Sequence, residues 1–241
     1  MNVLAQRRYC MAGVTEKLEE IIRRKVKEHE SLAEHMILKT PVFAEFYIEI
    51  DAQDVLIKTV NAARSLKIPV YILGSGARIE SQKDIKGLVI KNLCRRFEKA
   101  SVKGTIRKNV VGVEHIQVYA QAGVLMNQLV RFTIEEGLSG LEYQLGLPGT
   151  VGGAIYTNAK YKPKYLMVNK VLQSVTLLNE TGDVQTYNGE VPYFVYTDEE
   201  WHESKDVILS TVFKLTPADK KVLWERAEEA VQWRNQKGKH K

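Results

Sequence analysis

Only two cysteines, Cys10 and Cys94, occur in the chain. That excludes a disulfide framework, and their spacing is not that of paired metal ligands. His29, His35, His115, His202 and His240 are scattered and form no metal-binding spacing with each other or with cysteine. No apolar run reaches the ~20 residues needed to span a bilayer, so no membrane partner is expected. Arg7 and Arg8 are followed by only Tyr9-Cys10-Met11-Ala12-Gly13-Val14 before charge returns, too short an apolar region for a secretory signal. A cytoplasmic location is expected. The net charge is +6, but apart from the tail Lys237-Gly238-Lys239-His240-Lys241 the positive residues are mixed with acids. Helix-turn-helix, zinc-finger and RNP signatures are missing, and Trp201, Trp224 and Trp233 form no stacking platform on an expected strand. No nucleic-acid partner is expected.

What is present suits one large or two small globular domains: 241 residues, 44% hydrophobic and 27% charged. Thr15 to Glu34 reads as a helix, with Leu18, Ile21, Ile22, Val26 and Leu32 roughly on one face. Val42 to Ile50 alternates as a strand, and Asp51 offers an N-cap to a helix carrying Leu56, Val60, Ala63 and Leu66 inward. After Ile68-Pro69, the run Val70-Tyr71-Ile72-Leu73 suits a buried strand, and Leu88-Val89-Ile90 supplies another. Together these make a small βαβ unit. Further on, His115 to Ala120 reads as a strand and Leu125 to Glu136 as a helix stopped by Gly137. Val171 to Leu178 and Val184 to Tyr187 read as a hairpin, Val207 to Leu215 as a strand, and a terminal helix opens at Pro217 and Asp219. The expected organisation is an N-terminal helical segment (1–35), two α+β subdomains (36–93 and 94–216), and a C-terminal helix with a basic tail (217–241).

Two glycine turns stand out. Gly74-Ser75-Gly76 follows a strand directly, but Ile79 occupies the place of a third Rossmann glycine and no acid stands at the required distance. A Walker loop fails too, since no Gly-Lys-Ser/Thr follows. What remains is a bare turn whose N–H groups can face an anion. Pro148-Gly149-Thr150-Val151-Gly152-Gly153-Ala154 says the same with more force, because glycine in such density costs chain entropy and implies a close approach to the main chain. That approach is made either by a ligand rich in acceptors or by another piece of protein, a crossover packed under a helix. Two such turns, one from each subdomain, suit a long ligand lying in a cleft between them, of which flavin adenine dinucleotide (FAD) is an example.

The stretch from Ala122-Gly123 through Gly137 to Glu142, Pro148 to Ala154 and Asn158 resembles the flavin-binding segment of the UDP-N-acetylenolpyruvoylglucosamine reductase (MurB) family of peptidoglycan synthesis. Val70 to Gly76 resembles that family's earlier glycine loop, and the likeness runs from about Met36 onward. It implies an α+β, two-subdomain FAD-binding fold of the MurB and vanillyl-alcohol-oxidase type (PCMH-like). It also implies that FAD is held at Gly74, Ser75, Gly76, Ala77, Arg78, Ala122, Gly123, Pro148, Gly149, Thr150, Val151, Gly152, Gly153 and Ala154, largely through backbone N–H groups. Ala77-Arg78 replaces the family's Ser-Asn, and Arg78 offers a phosphate partner in exchange.

The catalytic part departs further. Where the family has Tyr-Arg-x-Ser-x-Phe-Lys, this chain reads Tyr196-Thr197-Asp198-Glu199-Glu200-Trp201-His202, so a cationic site has become acidic and should repel a carboxylate-bearing substrate. Trp233-Arg234-Asn235-Gln236 resembles the linker before the family's C-terminal substrate domain, which carries its proton donor; no catalytic residue is therefore assigned. A short paralogue with weakened or lost reductase activity is the favoured expectation. A non-catalytic interaction module, or the flavin half of a split reductase whose protein partner supplies the substrate domain, stays open. Where active, the chain would be a flavin-dependent oxidoreductase of the UDP-N-acetylmuramate dehydrogenase type, with NADPH as reductant.

Overall fold

A computed structural model describes residues 3–77, 83–107, 110–189 and 205–238. The chain divides into two units, one built from Met1–Leu93 with Leu178–Asp183 and Glu199–Val207, the other from Cys94–Leu177, Val184–Asp198 and Ile208–Lys241.

The first unit opens with helix α1 (Val3–Ile22), followed by strand β1 (Lys27–Ser31), β2 (Phe43–Ile50), α2 (Gln53–Ser65), β3 (Val70–Leu73) and β4 (Ile85–Asn92). The sheet order is β1-β2-β4-β3; β1 runs antiparallel to β2, while β2 and β3 both run parallel to β4. The expected βαβ unit is therefore present with β4 inserted between its two strands. Leu56, Val60 and Ala63 are fully buried on α2, as their spacing predicts.

Two local expectations fail here. The helix expected over Thr15 to Glu34 ends at Ile22, because Arg23 takes a left-handed φ of 56° and the Glu19 carboxylate accepts the Val26 N–H at 2.8 Å. Past that stop, Glu28 and Glu30 pair with Phe46 and Ala44, so a polar segment forms an edge strand by borrowing the register of β2. Asp51 does not cap α2; Ala52 sits at the N-cap without a side-chain bond, and Asp51 pairs with Arg24 at 3.1 Å.

The second unit holds β5 (Phe97–Arg107), β6 (Val110–Gln121), α3 (Met126–Glu135), β7 (Leu138–Ser139), α4 (Val151–Tyr156), β8 (Lys160–Tyr161), β9 (Leu166–Met167), β10 (Leu172–Leu178), β11 (Val184–Asn188), β12 (Val207–Pro217) and α5 (Lys220–Gly238). The main sheet runs β11-β10-β12-β6-β5, with β7 added against β12, and β8 pairs with β9 apart from it. Its core joins Val118 and Ala120 of β6, Leu129 and Val130 of α3, Phe213 of β12 and Leu223 of α5. β5 was not expected: its sequence does not alternate cleanly, and it is an edge strand whose form comes from antiparallel pairing with β6.

Glu142, fully inside this unit at 3% exposure, ties the turn after β7 to α5. Its carboxylate accepts from the Gly140 N–H at 2.6 Å, the Ser139 hydroxyl at 3.0 Å and Arg226 Nη1 at 3.0 Å. Removing it leaves the Gly140 N–H, the Ser139 hydroxyl and Arg226 without this buried acceptor. Glu142→Ala is expected to lower the unfolding free energy by about 2–4 kcal/mol, read from urea denaturation midpoints at unchanged slope.

Candidate functional site

The first glycine turn follows β3 inside the first unit. Its carbonyls face the segment after β1: the Ile37 N–H bonds to Ser75 O at 2.9 Å and the Leu38 N–H to Gly76 O at 3.3 Å. Gly76 has a φ of 62°, and a Cβ there would lie 2.5 Å from Met36 Cγ, so no other residue fits this position. Among the described residues, the N–H groups of Gly74, Ser75, Gly76 and Ala77 bond to no protein atom. The turn thus directs its acceptors into the protein and keeps its donors for something else. Arg78 and the Tyr196 to His202 segment lie outside the described residues.

The second segment belongs to the second unit and is more ordered than a glycine crossover. Pro148, Gly149 and Thr150 lead into α4, whose first turn is Val151, Gly152, Gly153 and Ala154. Thr150 is the N-cap, with its hydroxyl oxygen accepting the Gly153 N–H at 3.3 Å. Ala122, just past β6, donates to Leu209 O at 2.9 Å, and its own carbonyl accepts the Gly152 N–H at 2.8 Å. The Val151 N–H bonds to Val124 O at 2.8 Å and the Met126 N–H to Gly149 O at 3.0 Å, on either side of a bridge between Leu125 and Thr150. The structure therefore brings Ala122-Gly123 directly against Pro148 to Ala154.

This geometry separates the committed N–H groups of the second segment from the uncommitted ones. The N–H groups of Val151, Gly152 and Ala154 are committed to Val124 O, Ala122 O and Thr150 O. The uncommitted donors are those of Gly149 and Thr150, which among the described residues bond to no protein atom. The two adjacent glycines have different causes. At Gly152 a Cβ would stand 2.9 Å from the Ala122 Cβ and 3.1 Å from its carbonyl oxygen, so packing alone demands glycine. At Gly153 a Cβ would meet only Thr150 Oγ1 at 3.5 Å, an ordinary contact, and the residue is exposed. A helical glycine costs about 1 kcal/mol against alanine, and nothing in the protein's own packing accounts for Gly153.

A diphosphate needs several donors on a surface free of side chains, and the residues present fit that need at both turns. Two further hallmark residues have structural causes. Gly137 ends α3 with a φ of 67°, and Asn158 closes α4 with a φ of 42°, a left-handed position that asparagine tolerates better than most residues. Sequence reasoning missed the backing of the first turn by Met36, Ile37 and Leu38, for which the sequence holds no local signal. Among the described residues no group of three or more His, Cys, Asp or Glu could hold a metal ion, and no helix is long and apolar enough to cross a membrane.

Comparison with known proteins bears on the fold and the family. The family model for an FAD binding domain matches residues 44–188. The crystal structure of UDP-N-acetylenolpyruvylglucosamine reductase (MurB) from Thermus caldophilus superposes with a TM-score of 0.63 at 21% identity, covering 88% of this chain and 70% of that one. The protein thus has a mixed α/β FAD-binding fold of the PCMH type. The UDP-N-acetylenolpyruvoylglucosamine reductase of Carboxydothermus hydrogenoformans is 30% identical over 219 residues, which span 90% of this chain and 68% of that protein. That of Clostridium tetani is 24% identical over 226 residues, spanning 93% and 68%. The chain belongs to the UDP-N-acetylenolpyruvoylglucosamine reductase (MurB) family.

The two glycines of α4 should separate in stability. Gly152→Ala, forced against Ala122, is expected to lose about 1–3 kcal/mol, whereas Gly153→Ala should be neutral or gain up to about 1 kcal/mol. Thermal unfolding of both variants without added flavin checks the contrast.

Proposed function

We propose that this chain binds FAD as a MurB-like flavoprotein and reduces the family's enolpyruvyl substrate weakly or not at all. The observation carrying the first half is Gly153, an exposed helical glycine with no structural demand, next to uncommitted donors. In this reading the second unit offers FAD the N–H groups of Gly149 and Thr150, and the first unit those of Gly74 to Ala77. Gly153 keeps side-chain atoms out of the way, and Arg78 adds a cation to the first turn. When bound, FAD would supply hydride transfer, with NADPH as the reductant. The relatives' name gives the substrate class, an enolpyruvyl sugar nucleotide.

The second half rests on the Tyr196 to His202 segment. Thr197 stands where the family has arginine and His202 where it has lysine, while Asp198, Glu199 and Glu200 add negative charge. Such a segment offers a substrate carboxylate repulsion in place of a clamp. A cytoplasmic location goes with this reading, as does a protein partner bringing a substrate domain in the split-enzyme alternative.

Freshly purified protein should be yellow, with flavin absorbance, and Gly153→Ala should weaken FAD binding about tenfold while leaving the fold intact, as judged by fluorescence titration. NADPH with the enolpyruvyl sugar nucleotide should give no turnover above free flavin. A colourless protein that FAD cannot reconstitute would favour a non-catalytic interaction module. Rapid turnover would overturn the loss of reductase chemistry.

A further inference from the structure

One cluster of ionisable groups in the first unit lies outside every site described above. His35, half-buried just after β1, has its Nε2 2.9 Å from Glu30 Oε1 and its Nδ1 3.4 Å from Glu49 Oε1. The Nε2 contact is a hydrogen bond, and Nδ1 lies beside Glu49 at a longer, electrostatic distance. The imidazole stacks on Tyr47 with ring centroids 4.2 Å apart. Tyr47 in turn donates to Glu49 at 2.8 Å, and burial, then that bond, pushes its phenol well above the usual range, so it remains a donor. Lys27 reaches Glu30 at 2.7 Å and, ahead of His35, holds that carboxyl below its ordinary range. Lys91 of β4 donates to the backbone carbonyl of His35 itself. Groups from β1, β2 and β4 thus converge on one residue.

The next three residues are those that back the first glycine turn. Met36 fills the space a Cβ at Gly76 would need, and the Ile37 and Leu38 N–H groups hold the carbonyls of Ser75 and Gly76. A peptide unit is planar, with C=O and N–H pointing in opposite directions. Tying down the Ser75 carbonyl therefore fixes where the Gly76 N–H points, and tying down the Gly76 carbonyl fixes the Ala77 N–H. Those are two of the uncommitted donors of the turn.

We propose that His35, bonded to Glu30, stacked on Tyr47 and held at its carbonyl by Lys91, is a positioning residue that sets the donor direction of the Gly74 to Ala77 turn. It acts through Met36, Ile37 and Leu38 and has no assigned contact with FAD. As a statement about FAD it rests on the FAD reading above; as a statement about the turn it does not. This clasp joins three strands of the sheet to a short segment with little regular structure of its own. Without it, His35 to Leu38 would keep its hydrogen bonds to the turn but lose the fixed base from which they act.

The test uses the full chain and three variants. His35→Phe keeps the stack on Tyr47 and removes the bond to Glu30, while His35→Gln keeps a donor toward Glu30. Val60→Ala, in α2 and outside the cluster around Met36, is a core lesion that lowers stability without touching the clasp. Amide hydrogen exchange in the flavin-free protein should show Ile37 and Leu38 exchanging about tenfold faster in His35→Phe, an intermediate rate in His35→Gln, and no local change in Val60→Ala. FAD titration should show about tenfold weaker binding for His35→Phe, partial rescue in His35→Gln, and unchanged affinity in Val60→Ala. Unchanged exchange at Ile37 and Leu38 in His35→Phe overturns the clasp, as does equal FAD affinity for wild type and His35→Phe. If wild type binds no FAD, the FAD reading fails by itself, and the exchange data still decide whether His35 positions the turn.

Discussion

The Gly152 N–H stands 2.8 Å from the Ala122 carbonyl, and the second unit's candidate site depends on holding two backbones that close. A Cβ at Gly152 would be driven into Ala122, so the approach is bought with glycine. Once made, it anchors the first turn of α4 beside the end of β6, and flanking bonds from Val151 to Val124 and from Met126 to Gly149 set its direction. Thr150 is then the residue where the chain changes from extended to helical, with its N–H facing away from both. The first unit meets the same constraint at Gly76, where Met36 occupies the place of a side chain. In both turns one face of the main chain is consumed by the protein, and among the described residues the donors of the opposite face meet no protein acceptor.

That division explains what could be read from the sequence. Long periodic elements were legible: β2, α2, α3, β10 and β12 fall within a residue or two of their expected bounds, because alternation and helical spacing report burial directly. β1 and β5 were not, since each is an edge strand whose pairing partner supplies the order its own residues do not encode. α4 was hidden for another reason. Six residues containing two glycines carry almost no helical propensity, and the available signal was Thr150 as an N-cap. The helix forms because Ala122, Val124 and Met126 hold its entry.

The candidate site was legible as a set of positions but not as a set of contacts. Glycine density marks a close approach without saying what approaches, and here Gly152 and Gly153, adjacent in sequence, answer differently. The backing of the first turn was illegible for a plainer reason: Met36 meets Gly76 across a long stretch of intervening chain, and neither residue type suggests the other. Such pairs are written in the fold, and a single sequence carries no trace of them.

Recognition by main-chain donors has a consequence for divergence. A backbone N–H is supplied by nineteen of the twenty residue types, so a turn that binds through it can change most of its side chains while its geometry persists. The constraint then falls on the few positions where a Cβ would collide, as at Gly76 and Gly152. A carboxylate clamp is the opposite case, because the charge resides in particular side chains and is lost with a single substitution. A chain 30% identical to the Carboxydothermus reductase can therefore keep such turns while most of its other side chains differ. A main-chain cradle and a side-chain clamp are thus chemically different supports, and the persistence of one does not oblige the other to persist.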